Sequence, residues 1–349
     1  MKIDRLFINV WDYVSKEYPF NIFVGGRGTG KTYSALMGVK DLNDKFIYMR
    51  RTQSELDAIA ESQGMHEDLN PFKAINKNTG SNIGIAKINK KMYGFYHMKE
   101  INDELKPAGE AIGYALALST FATIRGADFS DCSTIIFDEF IPEEHVRKFR
   151  KEGDALFNAY ESMNRNREFL GMQPMTMLLL ANSNNLYNEV FVSLNIVHDV
   201  ERMIKKEEYD KFYPERCLAI HRLKDNPAFV EKKKNTALYK LTKGTKFAAM
   251  ALGNTFAYDD FSLVQYQKLD GYRPIANIGK AFIYAKKGDR FLYVSYSPAR
   301  APYTYNIDNM QDIMAFNQRI GHKLRDKFVD GSIYFESYEL KQIILDIIL

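Results

Sequence analysis

The residues best suited to chemistry sit in one stretch near the N-terminus, Phe20-Asn21-Ile22-Phe23-Val24-Gly25-Gly26-Arg27-Gly28-Thr29-Gly30-Lys31-Thr32. An apolar run ends in a glycine-rich turn, and a helix-like segment from Tyr33 to Lys40 follows. Gly25, Gly30, Lys31 and Thr32 fill every fixed position of G-x-x-x-x-G-K-[ST], the phosphate-binding P-loop. Its glycines let backbone N–H groups curl around phosphate oxygens with no Cβ in the way. The helix that follows points its positive end at the same anion. The run Gly25, Gly26, Arg27, Gly28, Thr29, Gly30, Lys31 and Thr32 is therefore expected to cradle a nucleotide. Lys31 would reach the β- and γ-phosphates, and the Thr32 hydroxyl would ligate magnesium. A chance match in a chain this long is roughly a one-in-a-hundred event, so an incidental glycine-rich turn is a weak competitor.

Two more strand ends complete the set. Ser133-Thr134-Ile135-Ile136-Phe137-Asp138-Glu139-Phe140 reads as a buried strand ending in adjacent carboxylates, a Walker B element. Downstream of a complete P-loop, Asp138 is expected to hold the magnesium shell, and Glu139 to orient and polarise an attacking water. ATP and Mg2+ are the expected cofactors. The next strand, Met175 to Ala181, is tipped by Asn182, the candidate sensor of the γ-phosphate; asparagine is also an ordinary turn former. Arg165 and Arg167, in Asn164-Arg165-Asn166-Arg167-Glu168 at the end of a helical region from Phe149 to Phe169, have the chemistry of an arginine finger. A solvated helix end, where basic residues favour the helix dipole, is the other reading.

The elements that must position these groups alternate. After the P-loop helix, Lys45-Phe46-Ile47-Tyr48-Met49-Arg50-Arg51 is a short apolar strand ending in two arginines. Strands alternating with helices indicate a parallel sheet, whose ligands sit beyond the carboxyl ends of the strands. Arg50 and Arg51 are thus expected near the nucleotide or a neighbouring subunit. Trp11, Tyr13 and Tyr18, just before the P-loop strand, would either cover the adenine or pack an N-terminal helix on the sheet. Gln53 to Ser62 reads as helix, Ile83 to Met98 as a hairpin with Lys90-Lys91 at its tip, and Tyr114 to Phe121 as a strand followed by Arg125. Residues 1–200 are read as an α/β P-loop NTPase domain with a parallel-type central sheet. Residues 201–245, mixed in charge and carrying Lys232-Lys233-Lys234, read as a linker. Residues 246–349 read as a second α/β domain with a hairpin turning at Lys287-Gly288-Asp289, a helix from Met310 to Phe328 and a C-terminal helix from Glu339 to Leu349.

Composition narrows the class. The 349 residues are 46% hydrophobic and 26% charged, as in ordinary soluble domains. No apolar run reaches a membrane span, so no membrane partner is expected, and Met1-Lys2-Ile3-Asp4-Arg5 lacks a signal-peptide core. Cys132 and Cys217 show no metal-ligand spacing and suit a reducing cytoplasm. The net charge of +4 is uneven: from Phe229 to Leu349 there are 18 Lys and Arg against 12 Asp and Glu. A basic C-terminal part suggests a polyanionic partner.

A P-loop, a long gap, an Asp-Glu strand end and an amide-tipped next strand mark the additional-strand, catalytic-glutamate ATPases. Within that class the sequence resembles the DNA-packaging ATPases of phi29-type small tailed bacteriophages. The matching segments are Phe23 to Thr32, Phe46 to Arg51, Ser133 to Phe140, Arg165-Asn166-Arg167-Glu168 and Leu180-Ala181-Asn182-Ser183, in the family's order. The resemblance implies an ATPase that translocates double-stranded DNA into a preformed procapsid. It implies a homopentameric ring docked on the portal (connector), in this family commonly through a structural packaging RNA. Such a motor works in the host cytoplasm, docks transiently and is not part of the mature virion. The resemblance also implies a C-terminal domain like ribonuclease H. Matched residue by residue, Arg167 falls on the family's trans-acting finger and Arg125 near a second trans-acting basic position, where a lysine is more typical.

Other classes share these motifs: a ring helicase or initiation ATPase, a nucleotide-dependent switch, and a terminase that also cuts DNA. A two-metal nuclease needs several converging carboxylates. The expected hairpin strands, Ile278 to Ala285 and Phe291 to Tyr296, carry none. Asp289 lies in the turn, and Asp308, Asp312 and Asp326 fit solvated helix positions. The domain is therefore expected to lack the catalytic acids and to contact nucleic acid or the portal.

Overall fold

The computed structural model describes residues 6–61, 69–143, 146, 151–224, 226–245, 247–248, 256 and 259–349. Met1 to Arg5, Ser62, Phe149 and Lys246 lie outside the described residues. The chain forms two compact units, Met1–Leu194 with Lys206–Tyr258, and Asn195–Lys205 with Asp259–Leu349.

The first unit is built on β1 (Phe20–Gly25), α1 (Lys31–Leu42), β2 (Lys45–Arg50), α2 (Gln53–Glu61), α3 (Lys73–Thr79), β3 (Ile83–Lys87), β4 (Met92–Ile101), β5 (Glu104–Ala117), β6 (Cys132–Asp138), α4 (Glu152–Asn164), β7 (Thr176–Asn182) and α5 (Glu189–Ser193). After α6 (Val197–Lys205), which belongs to the other unit, the chain returns with β8 (Asp210–Tyr213), β9 (Leu218–Arg222), α7 (Pro227–Lys234) and α8 (Ala237–Leu241). Among the described residues the strands form one nine-stranded sheet, in the order β3-β4-β5-β2-β6-β7-β1-β9-β8. Strands β5, β2, β6, β7, β1 and β9 run parallel, and antiparallel β4, β3 and β8 close the two edges. The central strands are near-continuous apolar runs because helices cover both of their faces. Ile22, Phe23, Ile135, Ile136, Leu178 and Leu180 are accordingly buried.

This differs from the expected linker at 201–245. Strand β9 pairs in parallel with β1, and β8 pairs with β9. These residues are therefore part of the large sheet. Strand β8 alternates between exposed and half-buried positions and reads as polar sequence when pairing is unknown, while β9 is buried from Leu218 to His221 but only five residues long. The strand expected at Tyr114 to Phe121 begins ten residues earlier, as the long arm of a hairpin with β4, and ends at Ala117 in a 3-10 turn.

The second unit combines α6 with β10 (Tyr272–Ile278), β11 (Ala281–Lys286), β12 (Leu292–Ser295), β13 (Thr304–Tyr305), α9 (Met310–Phe316), α10 (His322–Val329), β14 (Ile333–Phe335) and α11 (Tyr338–Ile348). Strands β10, β11 and β12 form an antiparallel meander, with β13 parallel to β10 on one side and β14 parallel to β12 on the other. The expected single helix from Met310 to Phe328 is divided by a π turn at Asn317–Gly321. Ser337 caps α11 by accepting from the Leu340 N–H, and Leu340, Ile344 and Ile348 lie in the core. The buried Glu201 carboxylate on α6 accepts the Tyr338 N–H at 3.0 Å, which holds α6 in this unit.

Candidate nucleotide site

The P-loop spans the turn between β1 and α1. Gly28 (φ 77°) and Gly30 (φ 95°) both lie in the left-handed region that glycine alone enters readily. Buried Lys31 sits at the first turn of α1. Its ammonium donates to the Gly25 carbonyl at 3.1 Å, the Gly26 carbonyl at 2.8 Å and Asn182 Oδ1 at 3.1 Å. Asn182 reaches it because β7 lies beside β1 with Asn182 opposite Gly25.

The acidic half comes from the next strand over. Thr32 Oγ1 donates to Asp138 Oδ1 at 2.9 Å, and the Tyr48 hydroxyl donates to Asp138 Oδ2 at 3.0 Å. Burial pushes the Asp138 carboxyl up, while Arg50 pulls it back. Burial and the neighbouring Asp138 together hold the Tyr48 hydroxyl in its protonated, donating form. Glu139 has φ 55°, an uncommon conformation for a non-glycine residue, which turns its carboxylate off the strand end. Half-exposed, it meets Arg50 Nη2 at 2.6 Å, while Arg50 Nη1 lies 3.6 Å from Asp138. Burial lowers the Arg50 pKa, but Tyr48, Asp138 and Glu139 more than restore it, so Arg50 stays charged.

A cavity of about 840 Å³ joins these groups to an apolar side lined by Phe7, Tyr33 and Met37. Oxygen donors Thr32 and Asp138 fit a hard cation such as Mg2+, which is commonly bound through one or two protein oxygens, substrate phosphates and water. Among the described residues no three His, Cys, Asp or Glu converge as a self-sufficient metal cage.

The structure brings Lys31, Thr32, Asp138, Glu139 and Asn182 together, as the sequence predicts. It adds Tyr48, which strand periodicity alone does not single out, and Phe7. Of the two expectations for Trp11, Tyr13 and Tyr18, the contacts fit packing against the sheet and its helix. Trp11 Nε1 donates to the Ser34 and Ala35 carbonyls of α1 at 3.1 and 3.2 Å. Tyr13 packs on Phe23 and His221, and Tyr18 on Phe212. None of the three lines the cavity. Arg51, just past the end of β2, does not join these groups: it forms a buried pair with Glu152 on α4, with contacts of 2.6 and 3.0 Å.

The three candidate finger arginines lie away from their own chain's Asp138. Arg167 donates through Nη1 to the Ser130 and Cys132 carbonyls, both at 3.0 Å, and through Nε to Gln173 at 2.9 Å. It thus sits at the opposite end of β6, about 20 Å from Asp138 at the usual strand rise. Arg165 donates to the Ala127 carbonyl at 2.6 Å and lies 3.8 Å from Asp128. Arg125, in the same turn, is exposed.

The chain as a whole is similar to known proteins. A sequence model of the family described as podovirus DNA encapsidation protein (Gp16) matches residues 3–348. The DNA packaging proteins of Bacillus phages PZA and phi29 are each 24% identical to the chain over 356 residues, covering 97% of it and 96% of the relative. The fold is similar to that of a chain in the bacteriophage Phi-29 viral genome packaging motor assembly, with a TM-score of 0.67 and 21% identity over 98% of both chains.

Proposed function

The chain belongs to the podovirus DNA encapsidation protein family, and from that premise we propose that it is the ATP-driven motor that carries double-stranded viral DNA into a preformed procapsid. The observation that carries the reading is the convergence of Lys31, Thr32, Asp138, Glu139 and Asn182 at one end of the parallel sheet.

Lys31 and the N–H groups of the P-loop bind and orient the β- and γ-phosphates. Thr32 and Asp138 hold the magnesium ion, which when bound supplies positive charge to the phosphate oxygens. Asn182, already in contact with Lys31, senses whether a γ-phosphate is present. Glu139 orients and polarises the attacking water. Arg50 holds Oε2 of that carboxylate at 2.6 Å, which orients the group while leaving Oε1 to accept from the water.

The motor works as a homo-oligomeric ring, a pentamer in this reading, docked on the portal (connector) of the procapsid in the host cytoplasm; in this family such docking commonly runs through a structural packaging RNA. Arg167 acts in trans: it is remote from its own Asp138, and Nη2 makes no bond among the described residues. Arg125 and Arg165, around the neighbouring turn, lie at the same boundary. The domain reading is also refined. Unit one is the ATPase, with the expected linker region partly built into its sheet, and unit two is a ribonuclease H-like domain without nuclease activity. The meander with flanking parallel strands supports that likeness. None of its five strands carries an acid: the first, β10, presents Asn277, whose Oδ1 accepts from Thr304 at 2.8 Å. Asp312 is occupied in accepting the Asn306 N–H at 2.7 Å.

The test is steady-state ATPase activity with and without duplex DNA, beside a strand-displacement assay. Stimulation by duplex DNA without unwinding is expected. Unwinding would favour a helicase, and turnover indifferent to DNA would refute the motor.

A further inference from the structure

We propose that the hairpin of α7 and α8 grips the phosphate backbone of duplex DNA and reports that grip to the P-loop through Lys233 and Phe229. The inference rests on the packaging reading and names the surface that would hold the cargo. Residues 226–245 carry Lys232, Lys233, Lys234, Lys240 and Lys243 against a single acid, Glu231. Three lysines in the last turn of α7 suit the helix dipole, but that does not account for Lys240 and Lys243 beyond it. Lys232, Lys234, Lys240 and Lys243 are exposed. None of the four makes an ion pair among the described residues. A cluster of unneutralised ammonium groups is the footprint expected for a polyanion.

The fifth lysine points the other way. Lys233 Nζ donates to the Arg27 carbonyl of the P-loop, and lies over the rings of Phe229 at 5.2 Å and Tyr239 at 5.0 Å. Phe229 in turn packs on Phe7, with ring centroids 5.8 Å apart, and would lie 3.8 Å from a Cβ placed on Gly28. The basic hairpin is thus seated directly on the loop that changes its contacts when phosphates bind. Lys90 and Lys91, at the β3–β4 tip, make no hydrogen bond to the P-loop among the described residues. A backbone shift at Arg27 moves the Lys233 anchor, and a load on the neighbouring lysines pulls on Arg27. Coupling of this kind is reciprocal: nucleotide alters DNA affinity by the same factor by which DNA alters nucleotide affinity.

The experiment is fluorescence anisotropy of a labelled DNA duplex across a potassium chloride series, with and without a non-hydrolysable ATP analogue, using the full chain. The wild type is compared with Lys232→Gln/Lys234→Gln/Lys240→Gln and with Lys233→Met, after thermal melts confirm folding. Each lost phosphate contact lowers the salt slope by about one, so the triple variant should lose about three and bind at least tenfold more weakly in low salt. Lys233→Met should bind duplex but lose the difference between nucleotide-free and nucleotide-bound protein. An unchanged slope in the triple variant, or a loss seen with an RNA hairpin and not with DNA, overturns the assignment of the grip. Retained nucleotide dependence in Lys233→Met overturns the coupling. A wild type with no salt-dependent duplex binding fails differently, because it removes the packaging reading itself.

Discussion

Arg51 and Glu152 tie the end of β2 to the start of α4 by two hydrogen bonds of 2.6 and 3.0 Å, with both side chains only 2% exposed. Arg51→Met strands a buried carboxylate, and breaking such a pair from one side costs about 3–5 kcal/mol. For a unit of this size each kcal/mol lowers the melting temperature by about 2–4 °C, so a fall of about 6–20 °C is expected in thermal unfolding followed by circular dichroism. The sign of its pH dependence follows from Glu152. Burial already raises its pKa and Arg51 opposes that rise. Without Arg51 the folded pKa climbs further above the unfolded value, so the associated stability is present at low pH and lost as pH rises through the folded pKa. Arg51→Met should therefore be penalised more at pH 8 than at pH 5. Arg51→Met/Glu152→Leu should regain most of the loss, because replacing both charges leaves no unpaired ion. A single variant costing under about 1 kcal/mol, insensitive to pH, would refute the pair as an anchor of β2.

The same reasoning gives sharper expectations at the site. Lys31→Ala should abolish binding of fluorescent ATP in equilibrium titrations, because the charge-assisted contact to phosphate is gone. Glu139→Gln should keep that binding while phosphate release falls by about 10²–10⁴-fold. Since burial raises the Asp138 pKa and magnesium needs the carboxylate, Mg·ATP affinity should fall as pH is lowered through that raised pKa; affinity titrations that stay flat across the acidic range would contradict this. Rings mixed from Arg167→Ala and Glu139→Gln subunits should recover some ATPase activity, at interfaces pairing an intact Arg167 with an intact Glu139; mixed rings with no rescue would exclude a trans role.

What was legible in the sequence was local. The P-loop, Asp138-Glu139 and Asn182 are strand ends and a turn, and each is fixed by a few neighbouring residues. Arg50 and Arg51 show where that legibility stops. Arg50 is the last residue of β2 and Arg51 the first beyond it, and the two side chains diverge. Only the partners, Glu139 for one and Glu152 for the other, decide which joins the site, and both partners lie about a hundred residues away. The strands β8 and β9 were hidden for a related reason. A four-residue exposed edge strand and a buried strand of only five residues carry too little patterned sequence to stand out until β1 is known to lie beside β9. In the second unit, Pro274 and the bulge after it masked β10, since proline argues against a central strand.

The way the large sheet ends has a consequence for assembly. All six parallel strands are interior, and the outermost strands are β3 and β8, of five and four residues. Short edges give a second chain little backbone to pair with, and Lys87 on β3 and Lys211 on β8 add charge there. At those two edges copies of this chain are thus discouraged from fusing their sheets into a shared ladder, and association there must rest on side chains and loops, contacts that can be made and released without unzipping the fold; open backbone lies instead along the β4–β5 arm, where β5 runs from Glu104 to Ile112 without pairing to β2.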